Sequence, residues 1–254
     1  MKSIRSLFYR EMRLSARHYI IRFLLLVLVV GFAALSLLVT GQNSAHTGED
    51  MSGFTVMLTY IIAVVAGVVI SEDNGVFKAD MDAGWLRYSY ALPMSAAKKA
   101  LTRTLVKLLS VAVGMAVTVA GAAAVCAMNG SSLDLTTILN FVLILDIFLL
   151  YDMVQQIFIL RATDADELKR NKLIGGVVGV GAILLVTEFL PIDISGLEKA
   201  MELIPEMKSP AEMSQLGELF ELPEIVGYFG IPAMLVILGV GFFASWKALE
   251  RRPD

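Results

Sequence analysis

Residues 71–107 read SEDNGVFKADMDAGWLRYSYALPMSAAKKALTRTLVK, a polar interval between two long apolar runs. Each flanking run is greasy enough to cross a bilayer, so this interval decides where the chain turns back. It carries Lys78, Arg87, Lys98, Lys99, Arg103 and Lys107. Membrane proteins concentrate cations in their cytoplasmic segments, and that bias puts the interval inside. At roughly 30 residues it is too long for a tight turn between helices. Pro93 forces Leu92 out of the helical region. Ser95 can then cap the free amides of a helix running through Ala96, Ala97 and Lys98 into the next span. The stretch reads as a surface that a soluble partner docks on.

Composition supports a membrane setting for the flanks. Of 254 residues, 57% are hydrophobic and only 18% charged, against about a quarter charged in a soluble domain. Mean hydropathy is +0.72. The net charge of −3 says little as a sum, because the signs are segregated along the chain. One cysteine, Cys126, rules out an internal disulfide framework. The apolar run after the basic start is about 18 residues, longer than a signal-peptide core and without a small-residue cleavage site, so the first span is expected to stay.

Working outward, residues 2–18 form a basic amphipathic segment. Ile4, Leu7, Phe8, Met12 and Leu14 gather on one side of a helix, and Lys2, Arg10, Arg13 and Arg17 on the other. Such a helix is expected to lie flat at the cytoplasmic surface as an elbow, residues 1–18. Spans are expected at 22–40, 54–70, 105–128, 135–160, 173–190 and 225–246, with a cytoplasmic loop at 71–104 and an extracellular loop at 191–224. Asp134 or Ser132 can cap the fourth span. Inner segments then hold six, six, four and three cations, nineteen of the 21 Lys and Arg; only Lys199 and Lys208 fall outside. The expected fold is an all-α polytopic membrane protein of six spans with both ends cytoplasmic, forming a single transmembrane domain.

The 191–224 loop shows helical spacing at Ile194, Leu197, Ala200, Met201 and Ile204. Ser209-Pro210-Ala211-Glu212 has a capping-box shape. Two short amphipathic extracellular helices are expected there. Gly175 with Gly179, and Gly114 with Thr118 and Ala122, are small residues four apart that let helices approach closely.

Chemistry could reside in the fourth span, where Asp146 and Asp152 stand with Tyr151, Gln155 and Gln156. A mid-membrane acid costs roughly 2.5 to 3.5 kcal/mol to insert. Asp152, Gln155 and Gln156 share a helical face, and Asp146 lies about 120° away at 100° per residue. These four are candidates for lining a translocation pathway, or for hydrogen bonds inside the bundle. Tyr151-Asp152 matches half of an intramembrane aspartyl protease pattern, but the GxGD half is missing. HExxH, GxSxG and GxxxxGK[ST] are absent too. No enzyme activity, no bound metal and no nucleic-acid partner is expected of this chain.

Asp82-Ala-Gly-Trp85-Leu-Arg-Tyr88, then Ala91-Leu92-Pro93-Met94-Ser95, then Lys98-Lys99 resemble the acidic–Trp–Leu-Pro-x-Ser–basic pattern of ABC-2-type permeases, the membrane subunits of bacterial ATP-driven exporters. The compact six-span permeases of peptide-toxin export (phenol-soluble modulin type) and of bacteriocin self-protection look most similar. The motif covers about 30 residues. Ala96-Ala97 stands where an arginine often follows the Ser, a departure that removes one expected partner contact. The resemblance implies a bacterial cytoplasmic-membrane exporter of two permease copies, identical or sister chains, and two separate cytoplasmic ATPase subunits. ATP and Mg would sit on the ATPases, with no cofactor in this chain. A coupling helix between spans 2 and 3 would dock on the ATPase through Trp85, Arg87, Tyr88, Leu92, Pro93, Ser95, Lys98 and Lys99. The cargo would be an amphipathic peptide or another hydrophobic molecule. A stand-alone carrier or channel, and a non-transporting immunity or anchor protein, are the alternatives.

Overall fold

The apolar runs that the sequence marks as spans are helices in the computed structural model, which describes residues 2–47, 52–71, 76–83, 95–189 and 228–250. In chain order the helices are α1 (Lys2–Thr47), α2 (Ser52–Ser71), α3 (Val76–Asp82), α4 (Ala96–Met128), α5 (Leu135–Ile159), α6 (Ala165–Phe189) and α7 (Gly230–Glu250). No strand occurs among the described residues. Five of them, α1, α2, α4, α5 and α7, are long and apolar enough to cross a membrane. At 25 residues α6 is also long enough, about 37 Å. Among the described residues the chain is all-helical, and its long apolar helices give it membrane character.

Two expectations about element ends need correcting. The 1–18 elbow is not a separate helix: α1 runs unbroken for 46 residues, about 69 Å. No proline interrupts it and its first glycine is Gly31, so nothing between residues 18 and 22 stops the helix. Ser15 turns its hydroxyl back to the Glu11 carbonyl at 2.6 Å rather than capping a new helix start. The basic face is not spread on headgroups throughout either, since Arg10 pairs with Asp80 of α3. Where it is described, the 71–104 segment is largely helical: it contains α3, and α4 starts at Ala96 behind Ser95, the start that the sequence led one to expect, and runs on into the span. Similarly α6 starts at Ala165, so Lys169, Arg170 and Lys172 sit on its first turns. The two expected helices in 191–224 lie outside the described residues.

α5 sits at the centre, against α2, α4, α6 and α7, while α1 lies on α4 and α2. The main core joins Leu26 and Leu37 of α1, Leu58, Ile62 and Ile70 of α2, Val111 and Val125 of α4, Leu145 and Leu149 of α5, and Leu238 of α7. A second core lies at one end. There Phe77 of α3 meets Ala100 of α4, Ile159 at the end of α5, Leu160 just after it, Leu168 of α6, and Ala248 and Leu249 of α7. That end therefore collects the segments in which most Lys and Arg occur, and it is called the basic end below. Leu24, Leu28 and Phe32 of α1, and Leu235, Val240 and Phe243 of α7, are exposed. Apolar surface on this scale suits a hydrocarbon surround.

The small residues act as the spacing implied. A Cβ on Gly175 would stand 3.1 Å from the Gln155 backbone, and one on Gly179 would stand 2.7 Å from the Tyr151 ring. α6 therefore rests directly on α5. Thr118 and Ala122 are fully buried on α4, and Gly114 abuts Ile70 of α2.

Candidate functional site at the basic end

Lys107 is the hub of the site. It lies seven residues before Gly114, two helical turns along the face of α4 that packs on α2. Its ammonium donates to the Ile70 carbonyl at 2.7 Å. That carbonyl belongs to the last turn of α2, which has no amide of its own helix to accept from, and a cation there also suits the helix dipole. The same ammonium stands 2.9 Å from Asp152 Oδ2. One side chain thus ties α2, α4 and α5 together. The two side chains are 12% and 7% exposed, so the pair is removed from water and each charge depends on the other.

A second set of charges lies beside it. Arg103, one turn before Lys107, approaches Glu11 of α1 at 3.8 Å and lies over the Phe77 ring of α3, 5.6 Å from its centroid. Arg10 pairs with Asp80. Phe77 is buried in the second core, so the ring offers Arg103 a fixed face rather than a mobile one. α1, α3 and α4 are joined in this way. Between the two sets lies a small cleft of about 40 Å³, lined among others by Glu11, Tyr19, Arg103, Lys107, Asp152 and Gln156. Its volume is close to that of a single water.

Of the residues anticipated as pathway lining, Asp152 and Gln156 meet at this cleft. Gln155 does not: its backbone lies against Gly175 of α6, and its amide donates to the Tyr151 hydroxyl at 3.4 Å. The 60° between Gln155 and Asp152 is enough to put them against different helices. Asp146 is elsewhere. It is 4% exposed in the middle of α5, and neither carboxylate oxygen has a hydrogen-bond partner among the described residues. Nearer the opposite end, Asn140 donates to the Tyr60 hydroxyl at 3.0 Å beside the Tyr60–Phe141 ring pair.

The anticipated docking residues Trp85, Arg87, Tyr88, Leu92 and Pro93 lie outside the described residues. Ser95 occupies the cap position of α4 with extended backbone (φ −63°, ψ 145°), but its side chain makes no cap bond. Its carbonyl does that work, accepting from Lys98 and Lys99 N–H at 3.0 and 3.3 Å. Asp134 likewise holds the cap position of α5 without a side-chain bond. Lys98 is exposed and Lys99 half-buried at the α4 start.

Glu11, Arg10, Asp80, Arg103 and Lys107 were not singled out as a site by sequence, where the cations read as inner-surface charge. The available signal was register. Lys107, Gly114, Thr118 and Ala122 share one face of α4, so Lys107 had to point at a neighbouring helix rather than at water. Among the described residues no group of His, Cys, Asp and Glu could hold a metal ion. Comparison with protein-family models, with curated proteins and with solved structures finds no match for this chain.

Proposed function

We propose that the chain is the permease subunit of an ATP-driven exporter of the ABC-2 type, moving an amphipathic peptide or other hydrophobic cargo. A separate ATPase would push on the 71–104 segment, and a second permease copy would complete the pathway in a bacterial cytoplasmic membrane. The observation that carries this reading is the charged knot at the basic end. A segment that transmits force has to be joined stiffly to the helices it moves. Here α3 is tied to α1 through Arg10–Asp80 and to α4 through Arg103 over Phe77, while Lys107 ties α4 to α2 and α5. A push on the segment would reach five helices at once. The role of Trp85, Arg87, Tyr88, Leu92 and Pro93 rests on their resemblance to the permease motif. Asp152 and Gln156, at the cleft, are the pathway residues best supported.

The test is biochemical. Affinity purification of the tagged chain from its native membrane should bring down an ATP-hydrolysing subunit. Trp85→Asp should abolish that association while the chain still inserts and elutes as a monodisperse species, because buried aromatics carry much of an interface's energy. Transport of a labelled amphipathic peptide into liposomes by this chain alone, without ATP, would overturn the proposal in favour of a stand-alone carrier.

A further inference from the structure

The acid that the basic-end knot leaves out is Asp146, and its surroundings differ from those of every other described acid. It lies one residue from the midpoint of a 25-residue helix, about 16 Å from the nearer end. It is 4% exposed, with both carboxylate oxygens unpartnered among the described residues. On α5 it follows Val142 by four residues and precedes Met153 by seven, so the three share a stripe. Val142 abuts Gly230 and Met153 abuts Gly241, both on α7. Asp146 therefore lies on the seam between α5 and α7, where glycines let the two helices close.

The helices around α5 bring no described charge to that level. α7 has no ionisable side chain between Gly230 and Trp246, and its Lys247 and Glu250 pair with each other at the basic end. α2 offers only Tyr60, whose hydroxyl takes the Asn140 amide. On α4, Lys98, Lys99, Arg103 and Lys107 lie at the basic end and Cys126 near the other. The described charges of α6, Asp166, Glu167, Lys169, Arg170 and Lys172, fall in its first turns. On α5 itself Tyr151 faces α6, and Asp152, some 9 Å along the axis, is engaged with Lys107.

A bare carboxylate in such a place is among the costliest groups a protein can bury, and the cheapest remedy is to take up a proton. We propose that Asp146 is a buried proton-binding site on the α5–α7 seam, in the middle of the membrane span. The ligand is a proton drawn from water, bound through a new O–H bond on one carboxylate oxygen and released to water by breaking that bond. Titratable acids in mid-span are the elements from which proton relays in membrane proteins are built. This site is independent of the exporter reading, because it needs no ATPase and no cargo.

Carbodiimides test it directly, since they react with protonated carboxyls. The full chain in liposomes would be treated with lipophilic dicyclohexylcarbodiimide or with a water-soluble carbodiimide, then mapped by peptide mass spectrometry. The expected result is a dicyclohexylcarbodiimide adduct on Asp146 that Asp146→Asn abolishes, that Asp152→Asn leaves in place, and that weakens as pH rises. The water-soluble reagent should leave Asp146 unmodified. Failure of the lipophilic reagent to label Asp146 in the folded wild-type chain, when it does so after unfolding, would overturn the proposal. So would equal labelling by both reagents. The wild-type map alone decides, whether or not a variant folds.

Discussion

Two aspartates on one helix, six residues apart, meet opposite fates. Asp152 is held by Lys107 at 2.9 Å, and Asp146 by no described group. Removing one member of a buried pair leaves the other charge stranded, at a cost of about 3–5 kcal/mol. Asp152→Leu and Lys107→Met should each lower the melting temperature in detergent sharply. The double variant should recover most of that loss, less about 1 kcal/mol for the forfeited bond to the Ile70 carbonyl. Asp146→Leu should melt no lower than the wild type, because no described bond is broken and apolar contact replaces a polar group. Both acids were legible as candidates, since an acid amid an apolar run has few innocent explanations. The partner of Asp152 was not. Lys107 stands at the end of a basic segment, and only the facing helices reveal that it points inward.

At the scale of elements, α4 and α5 start where their cap residues suggest, but not through the side-chain bonds those residues could make. Ser95 and Asp134 hold cap positions without side-chain bonds, whereas α6 has a full cap that its sequence did not bring to notice. Asp164 Oδ1 accepts from the Asp166 and Glu167 amides at 3.0 and 2.8 Å. Glu167 reaches back to the Thr163 hydroxyl and N–H at 2.7 and 2.9 Å. Asp164→Ala should cost about 1 kcal/mol. The Thr163 hydroxyl, then its N–H, hold the Glu167 carboxyl below the ordinary glutamate range. A depressed value means stability that is present above the unfolded pKa, about 4.3, and is lost as pH falls through the lower folded value. Glu167→Gln should therefore melt below the wild type at neutral pH, and the two should converge in acid. Between elements, Gly179→Leu should drive α6 away from the Tyr151 ring and destabilise the α5–α6 pair by about 1–3 kcal/mol. That contact was readable from the Gly175–Gly179 spacing. The continuity of α1 was less so: a change from basic to apolar composition suggests two environments, but only a breaker residue makes two helices, and there is none before Gly31.

Across the whole molecule, hydropathy and charge lead one to expect the basic segments at one end, and the second core gathers α3 with the adjoining ends of α4, α5, α6 and α7. What sequence could not supply is how α3 is held. Seven residues are too few for a stable isolated helix, so α3 depends on tertiary contacts, namely Phe77 in the core, Arg103 over its ring, and Asp80 on Arg10. Those contacts hold the 76–83 segment by an attachment separable from the bundle's own packing. Arg10→Asp should loosen it by turning an attraction into a repulsion, and Arg10→Asp with Asp80→Arg should restore it. Hydrogen exchange read by mass spectrometry checks this. Amides of α3 should exchange faster in the single variant and return toward wild-type protection in the double variant, while α5, whose core contacts are untouched, stays protected throughout. Equal protection of α3 in all three proteins would mean that Phe77 and Arg103 secure it, and that Arg10 of α1 takes no part in holding it.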